Sequence, residues 1–165
     1  MKPNKLFKIL FYLLVSLALH PSLAFAEEGY KSFLEKARGL DKEEFFEDAI
    51  DYWQKTLDAN PPSNISLYAK LKLTNTYSRL HKLDKAIEVS KALTETNPNH
   101  YDSWFHLANA LAALHRYPQA VEAFKKTTLL KPEEGLSRVG LAFAYFGDGK
   151  PDSAIEEFRQ AKKIF

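Results

Sequence analysis

The 165-residue sequence contains no cysteine, and this absence excludes several kinds of chemistry. A chain without thiols forms no disulfide, no thiolate metal site and no cysteine nucleophile. The sequence also lacks a marked excess of either charge, because 23 basic and 21 acidic side chains give a formal net charge of +2. Lys2, Lys5 and Lys8 lie in the first 26 residues, which hold no acid, so the remaining chain is nearly neutral. Such a chain lacks the basic surface of nucleic-acid-binding proteins, and we expect no nucleic-acid partner.

The apolar run near the N-terminus is too short to span a membrane. It extends over eleven residues from Ile9 to Leu19, which is about 16 Å of helix at ~1.5 Å per residue, against a hydrocarbon core of roughly 30 Å. Lysines precede the run, and His20, Pro21 and the small-x-small sequence Ala24-Phe25-Ala26 follow it. This order predicts a secretory signal peptide over residues 1–26 that is cleaved after Ala26.

The predicted location follows from this segment. We expect an exported protein, periplasmic if the organism is bacterial, with no stable membrane insertion after cleavage. The alternative is a membrane-tethered chain that keeps an uncleaved N-terminal segment.

The remaining chain, residues 27–165, contains a repeat of 34 residues. Residues of two types recur at this spacing: Ala86, Ala120 and Ala154, and Pro98 and Pro132. An earlier unit with Ala49 and Pro61 fits if three extra residues lie in a linker from Pro61 to Ser66. We therefore predict one domain with repeats at about residues 30–63, 67–100, 101–134 and 135–165.

Each unit carries two apolar stripes with the 3.6-residue period of an amphipathic helix. In the third unit these stripes are Trp104, Leu107, Ala108, Leu111 and Leu114, then Ala120, Val121, Phe124 and Thr127. Pro118 suits the first turn of the second helix, and Pro132 ends that helix. Each unit is therefore predicted to be a helical hairpin.

This pattern resembles the tetratricopeptide repeat family. That family has large residues at positions 4, 7, 11 and 24, small residues at 8, 20 and 27, and proline at 32. The third unit matches with Trp104, Leu107, Ala108, Leu111, Ala120, Phe124, Thr127 and Pro132. The other units depart from the pattern at Lys36, Lys70, Ser90 and Arg138. The resemblance implies an all-α, right-handed solenoid of about four helix-turn-helix repeats.

No set of side chains in the sequence predicts catalysis or metal binding. His81 and His115 occupy the same turn position of successive repeats, where ligands do not converge on one ion. The segment from Gly147 to Lys150 lacks the spacing of a phosphate-binding loop, and adjacent acids such as Glu156-Glu157 do not face each other on a helix. We predict no catalytic residue, no metal ligand and no cofactor, and we expect a protein that is not an enzyme.

The resemblance also implies a binding surface, because the first helices of such repeats line the concave side of the array. Positions 2, 5, 9 and 12 supply the candidate partner-binding residues: Arg38, Tyr68, Leu71, Asn75, Phe105, Asn109, Val139, Phe143 and Phe146. The asparagines offer hydrogen bonds to a peptide backbone, and the aromatic residues offer apolar contacts. The competing interpretation is that the aromatic residues pack on neighbouring helices and that the asparagines are simply common at this position.

We therefore predict an exported protein–protein interaction scaffold or adaptor that presents this groove to a peptide or helix of a cell-envelope partner. One alternative is a structural or self-assembling subunit, a homo-oligomer that docks through an uncapped C-terminal helix bearing Phe158, Ala161, Ile164 and Phe165. Another is a non-catalytic accessory subunit of an envelope or secretion enzyme complex.

Overall fold

The computed structural model describes residues 29–165, all of whose regular secondary structure is helical. The first helix, α1, comprises residues 29–42. The others are α2 (Phe46–Asp58), α3 (Ser63–Arg79), α4 (Leu83–Thr96), α5 (Tyr101–Ala113), α6 (Tyr117–Leu130), α7 (Gly135–Gly147) and α8 (Pro151–Ile164). The predicted all-α solenoid of helical hairpins is confirmed. The predicted signal peptide lies outside the described residues.

Consecutive helices pack against each other along the whole array, and two apolar clusters hold it together. The first cluster is centred on Trp53 of α2 and includes Leu34 of α1 and Leu73 of α3. The second is centred on Phe124 of α6 and includes Leu107 of α5 and Leu141 of α7. Each cluster thus joins one hairpin to the next, so that neighbouring repeats stabilise each other.

The turn inside each hairpin has the same backbone geometry. The residues Glu44, His81, His115 and Gly149 stand at equivalent positions with φ of 63°, 54°, 57° and 73°. The amide of the next residue then donates to a carbonyl five residues back, for example from Arg116 to Leu111 at 2.9 Å. This is the left-handed helix ending that usually carries glycine. The recurrence of His81 and His115 therefore marks a turn.

The predicted linker from Pro61 to Ser66 was wrong in its second half. Helix α3 begins at Ser63, directly after Pro62, and the Ser66 amide donates to the Pro62 carbonyl oxygen at 2.9 Å. No helix-breaking residue follows Pro62, and Ile65 packs against the first apolar cluster. The three extra residues therefore lengthen α3.

Small residues allow the helices to approach closely. The repeated alanines Ala49, Ala86 and Ala120 are fully buried. Gly140 of α7 lies against the Phe124 ring, so closely that a Cβ atom at position 140 would overlap the ring. Buried hydroxyls such as that of Thr127 donate to carbonyl oxygens of their own helix, in this case that of Phe124 at 2.7 Å. These contacts explain why small residues recur at the helix interfaces.

The described helices include none whose length and apolar character would let it cross a bilayer.

Candidate protein-binding surface

The array curves towards the first helices of the hairpins. Helix α3 contacts α5, and α5 contacts α7. The second helices α4 and α6 instead line opposite sides of a cleft of about 840 Å³ whose floor is α5. We call the inner face, formed by α1, α3, α5 and α7, the groove. This is the surface on which stacked hairpins bind partners.

The N-terminal part of the groove is polar. Tyr68 lies between two cations, with the Arg38 guanidinium 5.1 Å and the Lys72 ammonium 5.9 Å from the ring centroid. Lys72 also forms an ion pair with Asp41 at 3.4 Å, and Arg38 pairs with Glu35 at 2.8 Å. The predicted residues Arg38 and Tyr68 thus lie together, with their charges largely balanced. This end of the groove is therefore polar without a marked net charge.

Two exposed amides mark the middle of the groove. Asn75 of α3 and Asn109 of α5 occupy the same position in successive repeats, and both are exposed. The Asn109 amide nitrogen donates to the Phe105 carbonyl oxygen at 2.7 Å, which leaves its side-chain oxygen available. The side chain of Asn75 has no hydrogen-bond partner within the described part of the chain. Amides in this arrangement can donate to and accept from an extended peptide backbone.

Phe105 belongs to the packing of the array. Its ring stacks on Tyr101 at 5.6 Å and meets Phe124 edge to face at 6.2 Å. Leu71 and Val139, which stand at the same position of α3 and α7, are likewise half-buried. For Phe105, the interpretation that aromatic residues pack on neighbouring helices therefore holds, and a change at this residue would disturb the fold.

A half-buried histidine lies beside these residues. His106 occupies the same position on α5 as Lys72 does on α3. Burial lowers the pKa of His106, and Lys72 and His100 act in the same direction, against the opposing effect of Asp102. The neutral imidazole is therefore favoured, and it supplies one donor and one acceptor to the groove.

The C-terminal part of the groove is apolar and exposed. Leu136, Phe143 and Phe146 form a stripe along α7, and all three are exposed. The Phe143 ring packs edge to face against Phe158 of α8 at 5.3 Å. The groove therefore changes from polar at α1 and α3 to apolar at α7.

Sequence reasoning did not anticipate the cleft between α4 and α6. Its floor carries Trp104, Leu107 and Leu111, and its rim carries charged residues including Lys91 and Glu122. One feature of the sequence pointed to this cleft. Trp104 stands at position 4 of its repeat, where the neighbouring repeats have the charged residues Lys70 and Arg138. The Trp104 indole nitrogen donates to the Pro98 carbonyl oxygen at 2.8 Å, so its polar atom is already satisfied.

The residues considered for chemistry do not form a reactive site. His81 and His115 are exposed in turns, and His115 contacts the Tyr117 hydroxyl. Glu157 forms an ion pair with Arg138 at 3.1 Å. Across residues 29–165, no three His, Asp or Glu side chains are grouped so as to hold a metal ion.

Stacked hairpins with a curved inner face define a helical repeat solenoid. The model of the tetratricopeptide repeat family matches residues 71–128 and 107–165. The chain belongs to the tetratricopeptide repeat family.

Solved structures agree with this fold. MamA AMB-1 is 24% identical, with a TM-score of 0.71 over 82% of this chain and 78% of that chain. MamA MSR-1 is 23% identical, with a TM-score of 0.72 over 82% of this chain and 76% of that chain. A MamA RS-1 double mutant is 16% identical, with a TM-score of 0.77 over 82% of this chain and 75% of that chain. At these identities the likeness shows the fold alone. No curated protein sequence matches the chain.

Proposed function

We propose that the protein is a non-catalytic scaffold or adaptor whose groove binds a peptide or helix of another protein. The exposed pair Asn75 and Asn109 carries this proposal, because the two amides stand one repeat apart on adjacent helices of the inner face. Membership of a family built from stacked hairpins supports it, since such arrays present long curved surfaces to their partners.

The groove also suggests the character of the partner segment. Polar and charged groups around Tyr68 fit a hydrophilic stretch, the two amides fit an exposed backbone, and Phe143 and Phe146 fit apolar side chains. A segment that is polar at one end and apolar at the other matches this order.

We further propose that the protein works outside the cytoplasm, on the basis of the signal-peptide pattern in residues 1–26. The partner would then be a cell-envelope protein. In the accessory-subunit alternative the partner is part of an envelope or secretion enzyme complex. Identifying the partner therefore distinguishes a scaffold or adaptor from an accessory subunit.

Photo-crosslinking in the native host tests the proposal. A photoreactive amino acid replaces Asn109 in one variant and, as a control, Gln119 on the rim of the cleft between α4 and α6 in another. We expect a protein adduct in the envelope fraction from position 109 and none from position 119. We also expect the N-terminal residue of the exported chain to be Glu27. Adducts from position 119 alone would instead place the partner in the cleft, and a retained Met1 would contradict export.

A further inference from the structure

The last hairpin concentrates the exposed apolar surface of the described chain. Seven of the nine exposed large hydrophobic side chains between residues 29 and 165 lie on α7, on α8 or directly after α8. We call six of them the terminal face: Leu136, Phe143, Phe146, Ile155, Phe158 and Phe165. Because α7 and α8 are antiparallel, Phe143 meets Phe158, and Phe165 lies against Gly135 beside Leu136. The six side chains therefore form one continuous patch.

The repeat register shows that the α8 part of this patch stands where the preceding repeat receives the next helix. Ile155 and Phe158 occupy the positions of Val121 and Phe124 in the preceding repeat. Packing with α7 leaves Val121 and Phe124 only 3% and 1% exposed, whereas Ile155 and Phe158 are 49% and 38% exposed. A large exposed apolar patch of this kind marks an interaction site.

The opposite end of the array does not complement the terminal face. In α7, Gly140 and Leu141 provide the close contact with the preceding repeat. The equivalent positions of α1 hold Glu35 and Lys36, both exposed. Placing α1 of one molecule on α8 of another would bury these charges against Phe158, which is costly. Head-to-tail stacking of copies is therefore disfavoured.

The charges of α8 favour a twofold arrangement. The N-terminal half of the helix carries Asp152, Glu156 and Glu157, and the C-terminal half carries Arg159, Lys162 and Lys163. When two copies of α8 lie antiparallel, the acidic half of each faces the basic half of the other. This symmetry makes one surface complementary to itself.

The size of the patch is also adequate. At ~200 Å² for each large apolar side chain, the exposed parts of the terminal face offer roughly 700 Å². A stable interface of standard size buries about 800 Å² on each partner. The apolar area therefore accounts for most of such an interface, and the charged ends of α8 supply its rim.

We propose that the terminal face binds the terminal face of a second copy, forming a twofold dimer in which the two α8 helices are antiparallel. The dimer removes Phe143 and Phe146 from the groove and leaves Asn75 and Asn109 accessible. It therefore competes with a partner segment for the apolar end of the groove, leaves the amide pair open, and pairs two grooves in one particle.

Sedimentation velocity of the purified chain at concentrations up to about 100 µM tests this proposal. Phe146→Glu with Phe165→Glu changes the two most exposed aromatic residues of the face, at 68% and 79% exposure. Phe45→Glu with Leu129→Glu is the matched control, because it changes the two exposed hydrophobic residues outside the last hairpin. We expect dimers for the wild type and the control, and a dimer dissociation constant at least about tenfold higher for the first variant. A monomeric wild type, or a first variant that dimerises as tightly as the wild type, would overturn the proposal.

Charge reversal tests separately whether charges on the two α8 helices meet in the dimer. Lys162→Glu with Lys163→Glu leaves Arg159 as the one basic residue of α8, and Asp152→Lys with Glu156→Lys makes the exposed charges of α8 mainly basic. Each variant alone should dimerise less than the wild type, and an equal mixture should restore the dimer. A mixture that associates no better than its components would rule out this pairing of α8.

Discussion

At the residue scale, the environment of His106 links folding to pH. Burial, together with Lys72 and His100, lowers the pKa of this imidazole in the folded chain. The unfolded chain, with an ordinary histidine pKa of about 6.5, therefore takes up the proton more readily. The stabilisation from neutral His106 is complete above that pH and is lost as the pH falls towards the folded-state pKa.

We therefore expect the wild-type protein to lose stability between pH 7.5 and pH 5.5, and His106→Gln to lose less. Glutamine is polar and cannot take up a proton in this range, so it removes the coupling while keeping a hydrogen-bonding group. Urea unfolding at the two pH values measures the difference. An equal or larger loss in the variant would contradict the assignment to His106.

Some residue-level features were readable from the sequence and others were not. The equal spacing of His81 and His115 from their repeat alanines indicated turn positions, which the structure confirms. The half-burial of His106 was not readable, because it depends on how closely α3 and α5 approach. For Phe105 the sequence left packing and partner binding open, and the contacts of its ring with Tyr101 and Phe124 decide for packing.

At the scale of the element, the hairpin turn depends on one left-handed residue. Gly149 adopts this conformation at φ 73°, and a Cβ atom there would meet nothing within 4 Å. The cost of a side chain at position 149 is therefore conformational and not steric. Gly39 offers the opposite case, because it lies inside α1 with equally open surroundings.

We predict that Gly149→Ala lowers the free energy of unfolding by roughly 1 kcal/mol, since alanine tolerates the left-handed conformation poorly. Gly39→Ala should raise it by roughly 0.5–1 kcal/mol, since alanine is the better helix former. Urea unfolding of both variants gives the comparison. A Gly149→Ala variant as stable as the wild type, or more stable, would mean that the turn tolerates a residue poorly suited to the left-handed conformation.

The boundaries of most helices followed from the repeat, but the start of α3 did not. The spacing from Ala49 to Ala86 revealed three extra residues without showing whether they were helical. Packing of Ile65 against the first apolar cluster decided that question, and such a tertiary contact has no signature in the local sequence.

At the scale of the whole molecule, the structure presents two adjoining surfaces, which share Leu136, Phe143 and Phe146. The groove runs from a polar end near Tyr68 to an apolar end at α7, and the terminal face extends that apolar end onto α8. The register of the repeats, together with the resemblance to the family, gives the positions expected to line the groove, and the binding role of these residues stays a prediction. It did not predict the cleft between α4 and α6, because the separation of those helices depends on the curvature of the assembled array.

The central claim is that the groove binds a partner segment through Asn75 and Asn109. Calorimetric titration with the segment mapped by crosslinking at position 109 tests it most directly, comparing the wild type, Asn75→Ala with Asn109→Ala, and the control Asn64→Ala with Asn99→Ala. Loss of two hydrogen bonds at about 1 kcal/mol each should weaken binding about thirtyfold in the groove variant. The control, whose asparagines are exposed outside the groove positions, should bind as the wild type does. Equal affinity for the groove variant and the wild type would contradict the claim.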